Sequence, residues 1–397
     1  MGGPAPDRAA QQSRRAVMAI GVAAVAIDSA LLGLVAPLLP DIEQRTGAGD
    51  ATLGLALAAY AVPIVLLSLP LGRAADSIGR RALLTVGLSF VAAGSVLIAA
   101  ADSIAVLLVA RAVQGLGSAA SWISALALVS DTAPPGKRGE ALGVALGATG
   151  AGSIAGPALG GVTADVLSFE APFLISCGLA LGVLVAALIV LPRETPRAGA
   201  SVPALPAMVQ ATRRGIGAWG AAILLSAACA LGLTEVVAPL DLDTRLGLSS
   251  AAIGLLFAGS IAVDAILAPL GGRWGDRRGR RGPAISGLAL LAISMLFLAV
   301  LPGIGGAGIA LGIWGAGFSL AMAASVPWLD EAFAAQARGL AYGVQNLLYA
   351  AGYVVGPILG GVLLEAGGAG LAYGLTAAAT GAGAVALFIV SRRRDER

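Results

Sequence analysis

Gly72-Arg73-Ala74-Ala75-Asp76-Ser77-Ile78-Gly79-Arg80-Arg81 returns 200 residues later as Gly272-Arg273-Trp274-Gly275-Asp276-Arg277-Arg278-Gly279-Arg280-Arg281. Each copy opens on glycine, carries an acid at its fifth position and closes on Gly-Arg-Arg. Each is flanked by apolar runs near the length of about 20 residues that a helix needs to cross ~30 Å of hydrocarbon. Two such runs joined by a short basic turn make a membrane hairpin. Its recurrence at fixed spacing marks the chain as an internal duplication.

Working outward, the register holds. Gly152-x-x-x-Gly156-Pro157-x-x-Gly160-Gly161 returns as Gly352-x-x-x-Gly356-Pro357-x-x-Gly360-Gly361, and Arg138-Gly139 as Arg338-Gly339. Cutting the chain at its polar and turn-forming clusters predicts twelve spans, near 16–39, 51–71, 82–101, 104–129, 141–164, 171–192, 216–240, 249–270, 283–301, 307–328, 340–364 and 367–390. The tightest breaks, Asp102-Ser103 and Gly367-Gly368, separate runs that would otherwise merge into helices far too long. The runs are rich in Ala, Leu and Gly and lack the alternation of a barrel, so the fold class is an all-α membrane protein of two pseudo-symmetric six-helix bundles. Residues 1–192 form the first bundle and 216–397 the second. Residues 193–215, with Pro196, Pro203, Pro206 and four arginines, form a cytoplasmic linker.

Composition agrees. Of 397 residues, 58% are hydrophobic and 12% charged, with no His and two Cys; a soluble domain is roughly 45–50% apolar and about 25% charged. Disorder, a His-based metal site, a Ser–His–Asp triad and a disulfide scaffold are excluded. Ser13-Arg14-Arg15 resembles a twin-arginine export signal, but the following run is too long, holds Asp28 and is followed by eleven more apolar runs, so it is read as the first span. Lys and Arg set the orientation. Arg73, Arg80, Arg81, Lys137, Arg138, Arg273, Arg280, Arg281, Arg338 and the arginines of both termini share one side, against Arg45 and Arg245 on the other. By the positive-inside rule both termini are cytoplasmic and the protein is multi-pass in a cell inner (plasma) membrane.

Four ionisable residues fall within spans: Asp28, Arg111, Glu235 and Asp264. Each costs about 2.5–3.5 kcal/mol on insertion scales, so each is first read as facing a cavity. Asp28, near the centre of its run, can bind a proton or a cationic solute, and competition for one anion is the simplest route to exchange. The competing reading pairs it with Arg111 and holds it charged. Glu235 lies toward the outer end of its span, where a direct role and a structural one stand level; Asp264 is read as structural. Gly152, Gly156 and Gly160 lie four apart on one helix face, which lets backbones touch, while Pro157 bends the helix. That stripe reads as a rocking seam between the halves, or as plain tight packing. No phosphate-loop pattern is complete, so energy must come from a gradient rather than ATP. Parallel repeats suit a carrier holding its substrate between the halves near the midplane.

On these residues the chain resembles the major facilitator superfamily over nearly its whole length. The 72–81 turn is similar to that family's G-x-x-x-D-[RK]-x-G-[RK]-[RK] motif, with Ser77 where a basic residue is usual. The GP-rich fifth span and Arg111-Ala112-Val113-Gln114-Gly115 resemble motifs of its drug:proton antiporters. The pattern is most similar to multidrug exporters related to vesicular monoamine transporters, although Asn346 stands where amine transporters carry an acid. The resemblance implies a proton-coupled antiporter exporting lipophilic cationic small molecules by alternating access; a uniporter or proton symporter for a neutral metabolite is the alternative. It implies no enzyme activity, no cofactor, no metal and no nucleic acid; the partners are a small molecule, protons and the bilayer, and the protein is a monomer. It further implies proton and substrate coupling by Asp28, Arg111 and Glu235. Gln114, Trp122, Trp314, Phe318, Asn346 and Tyr349 would line the cavity. Gly72, Asp76, Gly79, Arg80, Arg81, Asp276 and Arg280 would form a gate that latches the outward-facing state. Gly152, Gly156, Pro157 and Gly160 would form the antiporter helix.

Overall fold

A computed structural model describes residues 8–134, 137–192, 215–333 and 338–395. Among them the chain is helical and has no strand. Helix α1 (Arg8–Leu34) passes through a 3-10 turn (Ala36–Leu38) into the short α2 (Leu39–Thr46). There follow α3 (Asp50–Ile78), α4 (Arg80–Ala99), α5 (Ile104–Thr132), α6 (Arg138–Val166), α7 (Ala171–Val190), α8 (Gly215–Leu246), α9 (Ser250–Arg278), α10 (Arg281–Val300), α11 (Gly303–Glu331) and α12 (Arg338–Asp395). Among the described residues, eleven stretches are long and apolar enough to cross a membrane. The sequence reading expects twelve, and the difference lies in α12. There the last two runs form one 49-residue stretch, Gly343–Ser391, broken in backbone angle only at Gly367 and at Gly368 (φ 73). The expected linker, 193–215, lies outside the described residues apart from its last position.

The two basic turns are shorter than the sequence implies. Helix α3 runs on to Ile78 and α9 to Arg278, so most of each ten-residue motif is helix. The reversal falls on single residues, Gly79 (φ 92) and Gly279 (φ 83), angles that L side chains rarely adopt. Charged and small residues are good enough helix formers to continue the helix; only the glycine can leave it.

Helix α1 packs on α5, α6 and α7, and α4 on α5 and α7; in the second half α8 packs on α11 and α12, and α10 on the same two. Between the halves, α3 lies against α12 and α9 against α6. The glycine stripe of α6 faces α1, its own neighbour, and not the other half. A Cβ on Gly156 would lie 2.1 Å from the Ala30 carbonyl oxygen, and one on Gly152 2.1 Å from that of Ala26. The other face of α6 meets the second half: a Cβ on Gly254 of α9 would lie 2.2 Å from the Pro157 carbonyl oxygen. The repeat obeys the same geometry, with Gly54 of α3 under the Pro357 carbonyl at the same 2.2 Å.

One end of the molecule is sealed. Asp165 at the end of α6 accepts from the Ala251 N–H at the start of α9 (3.1 Å), and Glu365 of α12 accepts from the Ala51 N–H at the start of α3 (3.2 Å). Each acid meets the positive end of a helix dipole in the other half, an interaction worth about 0.3–1 kcal/mol. The Ser250 hydroxyl adds a bond to Asp41 (2.6 Å). Arg45 and Arg245, the two arginines at this end, are both engaged. Arg45 lies over the Phe169 ring and holds the Glu170 carboxyl below the usual carboxylate range; Arg245 bonds Asp241 and the carbonyls of Leu298 and Leu301. At the opposite, arginine-rich end the described ion pairs stay within each half: Arg80 with Asp131 (2.9 Å) and Arg280 with Glu331 (2.9 Å).

Gly156→Ala and Gly356→Ala should each lower the thermal midpoint in detergent, by the equivalent of about 1–3 kcal/mol, because the new methyl meets backbone and no rotamer relieves it. Gly150→Ala, with nothing within 4 Å, should leave the midpoint level or raise it.

Candidate functional site

Between the halves lies a cavity of about 120 Å³, lined by Asp28 and Leu32 of α1, Tyr60, Ile64 and Ser68 of α3, Ser118, Trp122 and Ile123 of α5, and Asn346, Tyr349 and Tyr353 of α12. Ile64 sits at the middle of α3, and Ser68, Trp122 and Asn346 sit on the parts of their helices nearer the arginine-rich end, so the cavity extends from mid-molecule away from the acid-sealed end.

Asp28 is 8% exposed and its Oδ1 has no hydrogen-bond partner. The hydroxyls of Ser118 and Ser121 adjoin its carboxyl. Ser118 Oγ accepts from the Tyr60 hydroxyl (2.7 Å), and the Tyr60 ring lies under the Arg111 guanidinium, 4.6 Å from carbon to ring centroid. Arg111 is fully buried. Its Nη1 donates to Gln114 Oε1 (2.6 Å), while Nε and Nη2 have no partner. Among the described residues no carboxylate stands within ion-pair distance of it, so the expected alternative of an Asp28–Arg111 pair is absent from this structure. A guanidinium held by one amide and an aromatic face is a charge without a fixed counter-ion, an arrangement that costs several kcal/mol.

Across the cavity, Glu235 of α8 is 6% exposed and accepts a hydrogen bond from the Tyr353 hydroxyl. Tyr353 stacks on Tyr349 (6.5 Å between centroids, 10° between planes). Glu235 is the acid whose field reaches Arg111. Asp264 is half-buried on α9, with its field felt at Tyr349.

Of the residues expected to line a cavity, Trp122, Asn346 and Tyr349 do so. Gln114 does not: it is buried and holds Arg111, with its Nε2 3.4 Å from the Ser95 hydroxyl. Trp314 and Phe318 stack on each other (5.1 Å, 13°) and pack with the core of the second half rather than the cavity. Of the gate residues, Arg80 and Arg280 pair within their own halves, and Asp276 is exposed, 3.7 Å from Arg280. Arg81 donates to the Leu188 carbonyl (2.7 Å). Gly72 continues helix α3, and the Asp76 side chain lies outside the described residues. Tyr60, Ser118 and Tyr353 line the candidate site and were missed by sequence reasoning.

The internal repeat supplies a signal for them. Positions 200 apart occupy equivalent places, so the second half shows what the fold needs at each. Where the first half has Asp28, Tyr60 and Arg111, the second has Ala228, Ser260 and Leu311, and the Ser260 hydroxyl donates to the Leu311 carbonyl (2.7 Å). Where the second half has Glu235 and Tyr353, the first has Val35 and Ser153. The other half fills all five places with small or apolar residues, so the shared fold does not require ionisable groups there.

A duplicated bundle around an off-centre, mainly apolar cavity that holds one buried carboxyl agrees with the comparison by family: the model described as Major Facilitator Superfamily matches residues 18–236 and again 220–397. The chain belongs to this superfamily. As a major facilitator protein it is a multi-pass membrane transporter of small molecules and not an enzyme. It is 27% identical to multidrug resistance protein Stp of Mycobacterium tuberculosis, over 87% of this chain and 74% of that one. It is 26% identical to multidrug resistance protein 1 of Bacillus subtilis, over 84% and 86%. A 34% match to the tetracenomycin C resistance and export protein of Streptomyces glaucescens covers 44% of this chain and only 32% of that exporter's length. Among solved structures, a bacterial homologue of the human lysosomal transporter Spinster, inward-facing and unoccupied, superposes with a TM-score of 0.74 at 18% identity over 98% and 96% of the two chains. A POT family transporter reaches 0.77 at 12% identity over 96% of each. These two likenesses concern the fold.

Arg111→Leu, which installs the residue found at the repeat position, should leave the thermal midpoint level or raise it, because replacing a buried charge by a hydrophobe is often neutral or stabilising by about 1–4 kcal/mol. The same variant should lose at least tenfold in transport. A fall in stability comparable with the loss of transport would show that the guanidinium supports the fold instead.

Proposed function

We propose that this transporter is a proton-coupled antiporter that exports lipophilic cationic small molecules by alternating access. The observation that carries the reading is Asp28: a nearly buried carboxyl at the wall of the inter-half cavity, with one oxygen unpartnered and no fixed cation beside it. A carboxylate in that position needs either a proton or a cation, and a site that accepts one at a time exchanges them. The aromatic faces of Trp122, Tyr349 and Tyr353 around it suit a flat cation. The relatives named as multidrug resistance proteins favour a drug-like substrate over a metabolite.

In this reading twelve spans make two six-helix bundles, residues 1–192 and 216–397, joined by 193–215. A straight helix of 49 residues would be ~74 Å long, more than twice the hydrocarbon thickness, so α12 contributes two spans that turn at Gly367-Gly368. Both termini and the arginine-rich turns are cytoplasmic, in the plasma membrane, and the monomer is the working unit. The acid-capped seal is then the closed outer gate, and the arginine-rich end, with its ion pairs kept within each half, is the side from which substrate enters. Deprotonated Asp28 takes the cation from the cytoplasm. After the halves rock, Asp165 and Glu365 release their helix ends, and a proton arriving from outside displaces the cargo. The Tyr60–Ser118 hydroxyl pair and Arg111 respond to the charge state of Asp28. Glu235, clamped by Tyr353, gives a second proton site. With two protons per monovalent cation one net charge moves inward, adding about 2.3 kcal/mol per 100 mV of membrane potential.

The test is transport in proteoliposomes with an imposed pH gradient and a lipophilic fluorescent cation. Asp28→Asn should abolish uphill, gradient-driven transport while leaving the protein folded and monodisperse. Glu235→Gln should reduce the dependence on membrane potential. If Asp28→Asn keeps full uphill transport, or if wild-type transport is the same with and without the gradient, the antiport reading is wrong.

A further inference from the structure

Most polar side chains on the wall of the central cavity are already engaged. The Tyr60 hydroxyl donates to Ser118, Ser68 donates to the Ile64 carbonyl, and Tyr353 donates to Glu235. On the first-half wall the Asp28 Oδ1 is left without a partner. On the second-half wall the Asn346 amide is left free: among the described residues it makes no hydrogen bond. We propose that Asn346 is the second anchor of the cargo, and that the preferred substrate is a lipophilic cation carrying a neutral carbonyl oxygen at the end remote from its charge. This rests on the reading of Asp28 as the cation site and adds a substrate class to it.

The setting of Asn346 favours a ligand over a structural role. Its neighbour Gln345 donates to the Val326 carbonyl of α11 (3.2 Å) and ties this turn of α12 in place, so Asn346 is not needed for that. Toward the arginine-rich end, a Cβ on Gly343 would meet nothing within 4 Å, which leaves the amide reachable from that side. At the repeat position the first half has Leu146, so the shared fold does not require an amide there. An amide on a largely apolar wall loses its water when the halves close over cargo, and an unpaired donor is then costly. A carbonyl oxygen supplies the missing acceptor. Unlike a hydroxyl, it brings no donor of its own for the apolar remainder of the wall to leave unpaired.

The repeat also gives the spacing. Gly152 closes on Ala26 and Gly156 on Ala30, so Asp28 lies level with residue 154 of α6, and the repeat puts residue 354 of α12 at that depth. Asn346 is eight residues nearer the arginine-rich end, ~12 Å along the helix at ~1.5 Å per residue. Trp122 of α5 stands between these levels, one turn beyond Ser118, where its ring can meet the body of the cargo. A molecule holding Asp28 by its charge and Asn346 by its oxygen touches both halves at once. Its binding then favours the closure that precedes rocking, whereas a cation held by Asp28 alone touches one half.

The experiment measures displacement of a fluorescent lipophilic cation from the full chain in nonionic detergent, with no gradient. The competitors are two ammonium ions of one skeleton, the first with a ketone roughly 10 Å from the nitrogen and the second with a methylene in its place. Wild type should bind the ketone at least tenfold more tightly, although the methylene compound is the more lipophilic. Asn346→Leu, the repeat residue, should bring the ratio within threefold of one with the unliganded thermal midpoint level or raised. Asn346→Asp, which keeps the shape and, ionised, has no donor, should do the same if the leucine variant does not fold. Asp28→Asn should weaken both compounds and leave their ratio in place. Equal binding of the two compounds by wild type, displacement by neither, or a tenfold ratio that survives both Asn346 variants would overturn the proposal. Loss of the ratio in the Asn346 variants with no weakening by Asp28→Asn would instead remove the cation reading of Asp28 and leave the carbonyl anchor supported.

Discussion

Where α6 crosses α9, the Pro157 carbonyl oxygen occupies the space a side chain on Gly254 would need, and where α12 crosses α3 the Pro357 carbonyl does the same over Gly54. Helices in lipid gain little from burying apolar surface, because the tails are as apolar as leucine, so association depends on close packing and backbone contact. Cα–H···O contacts at such crossings contribute about 0.5–1 kcal/mol each. The two crossings join the halves at the acid-sealed end, and the helix-capping carboxylates of Asp165 and Glu365 sit at the same joint. The interactions are small, matched in pairs and reversible. A joint of this kind holds a closed end without making the closure permanent.

Because the framework is duplicated, it offers a comparison inside one chain. Every load on the fold is carried twice: the stripe on α6 and its copy on α12, the single-glycine turns at Gly79 and Gly279, the braced Arg80 and Arg280. The chemistry is carried once. Asp28, Tyr60 and Arg111 belong to the first half, and Glu235 and Tyr353 to the second. Where both copies keep a residue, packing explains it. Where one copy departs toward charge, burial costs free energy and packing does not explain it.

Several features were legible before any coordinates. The membrane class, the apolar helices and the duplication follow from run length and from the spacing of Gly, Pro and Arg, which the hydrocarbon thickness and helix rise constrain directly; the last two expected spans did not separate, because α12 is broken only at Gly367 and Gly368. Asp28 was legible too, because a carboxyl in the middle of an apolar run has few innocuous explanations. Tyr60, Ser118 and Tyr353 were not, since aromatic and hydroxyl residues are common in membrane helices and insertion costs do not single them out. Trp314 and Phe318 were nominated by helix number, and rotation about α11 turned them into their own bundle instead. Direction also escaped the glycine stripe: Gly152, Gly156 and Gly160 announce a close contact without saying that its partner is α1.

The amino-acid sequence by itself determined that the backbone is built from apolar helices of bilayer length, which turns carry the cations, and that one half repeats the other. These depend on local composition, and the solvent reads composition locally. Only the tertiary structure decided which face of each helix meets which neighbour, that Arg111 rests on Tyr60 and Gln114 instead of a carboxylate, and that the sealed end is the one bearing Asp165 and Glu365. Those outcomes turn on helix rotation and crossing, set by contacts between residues far apart in the chain.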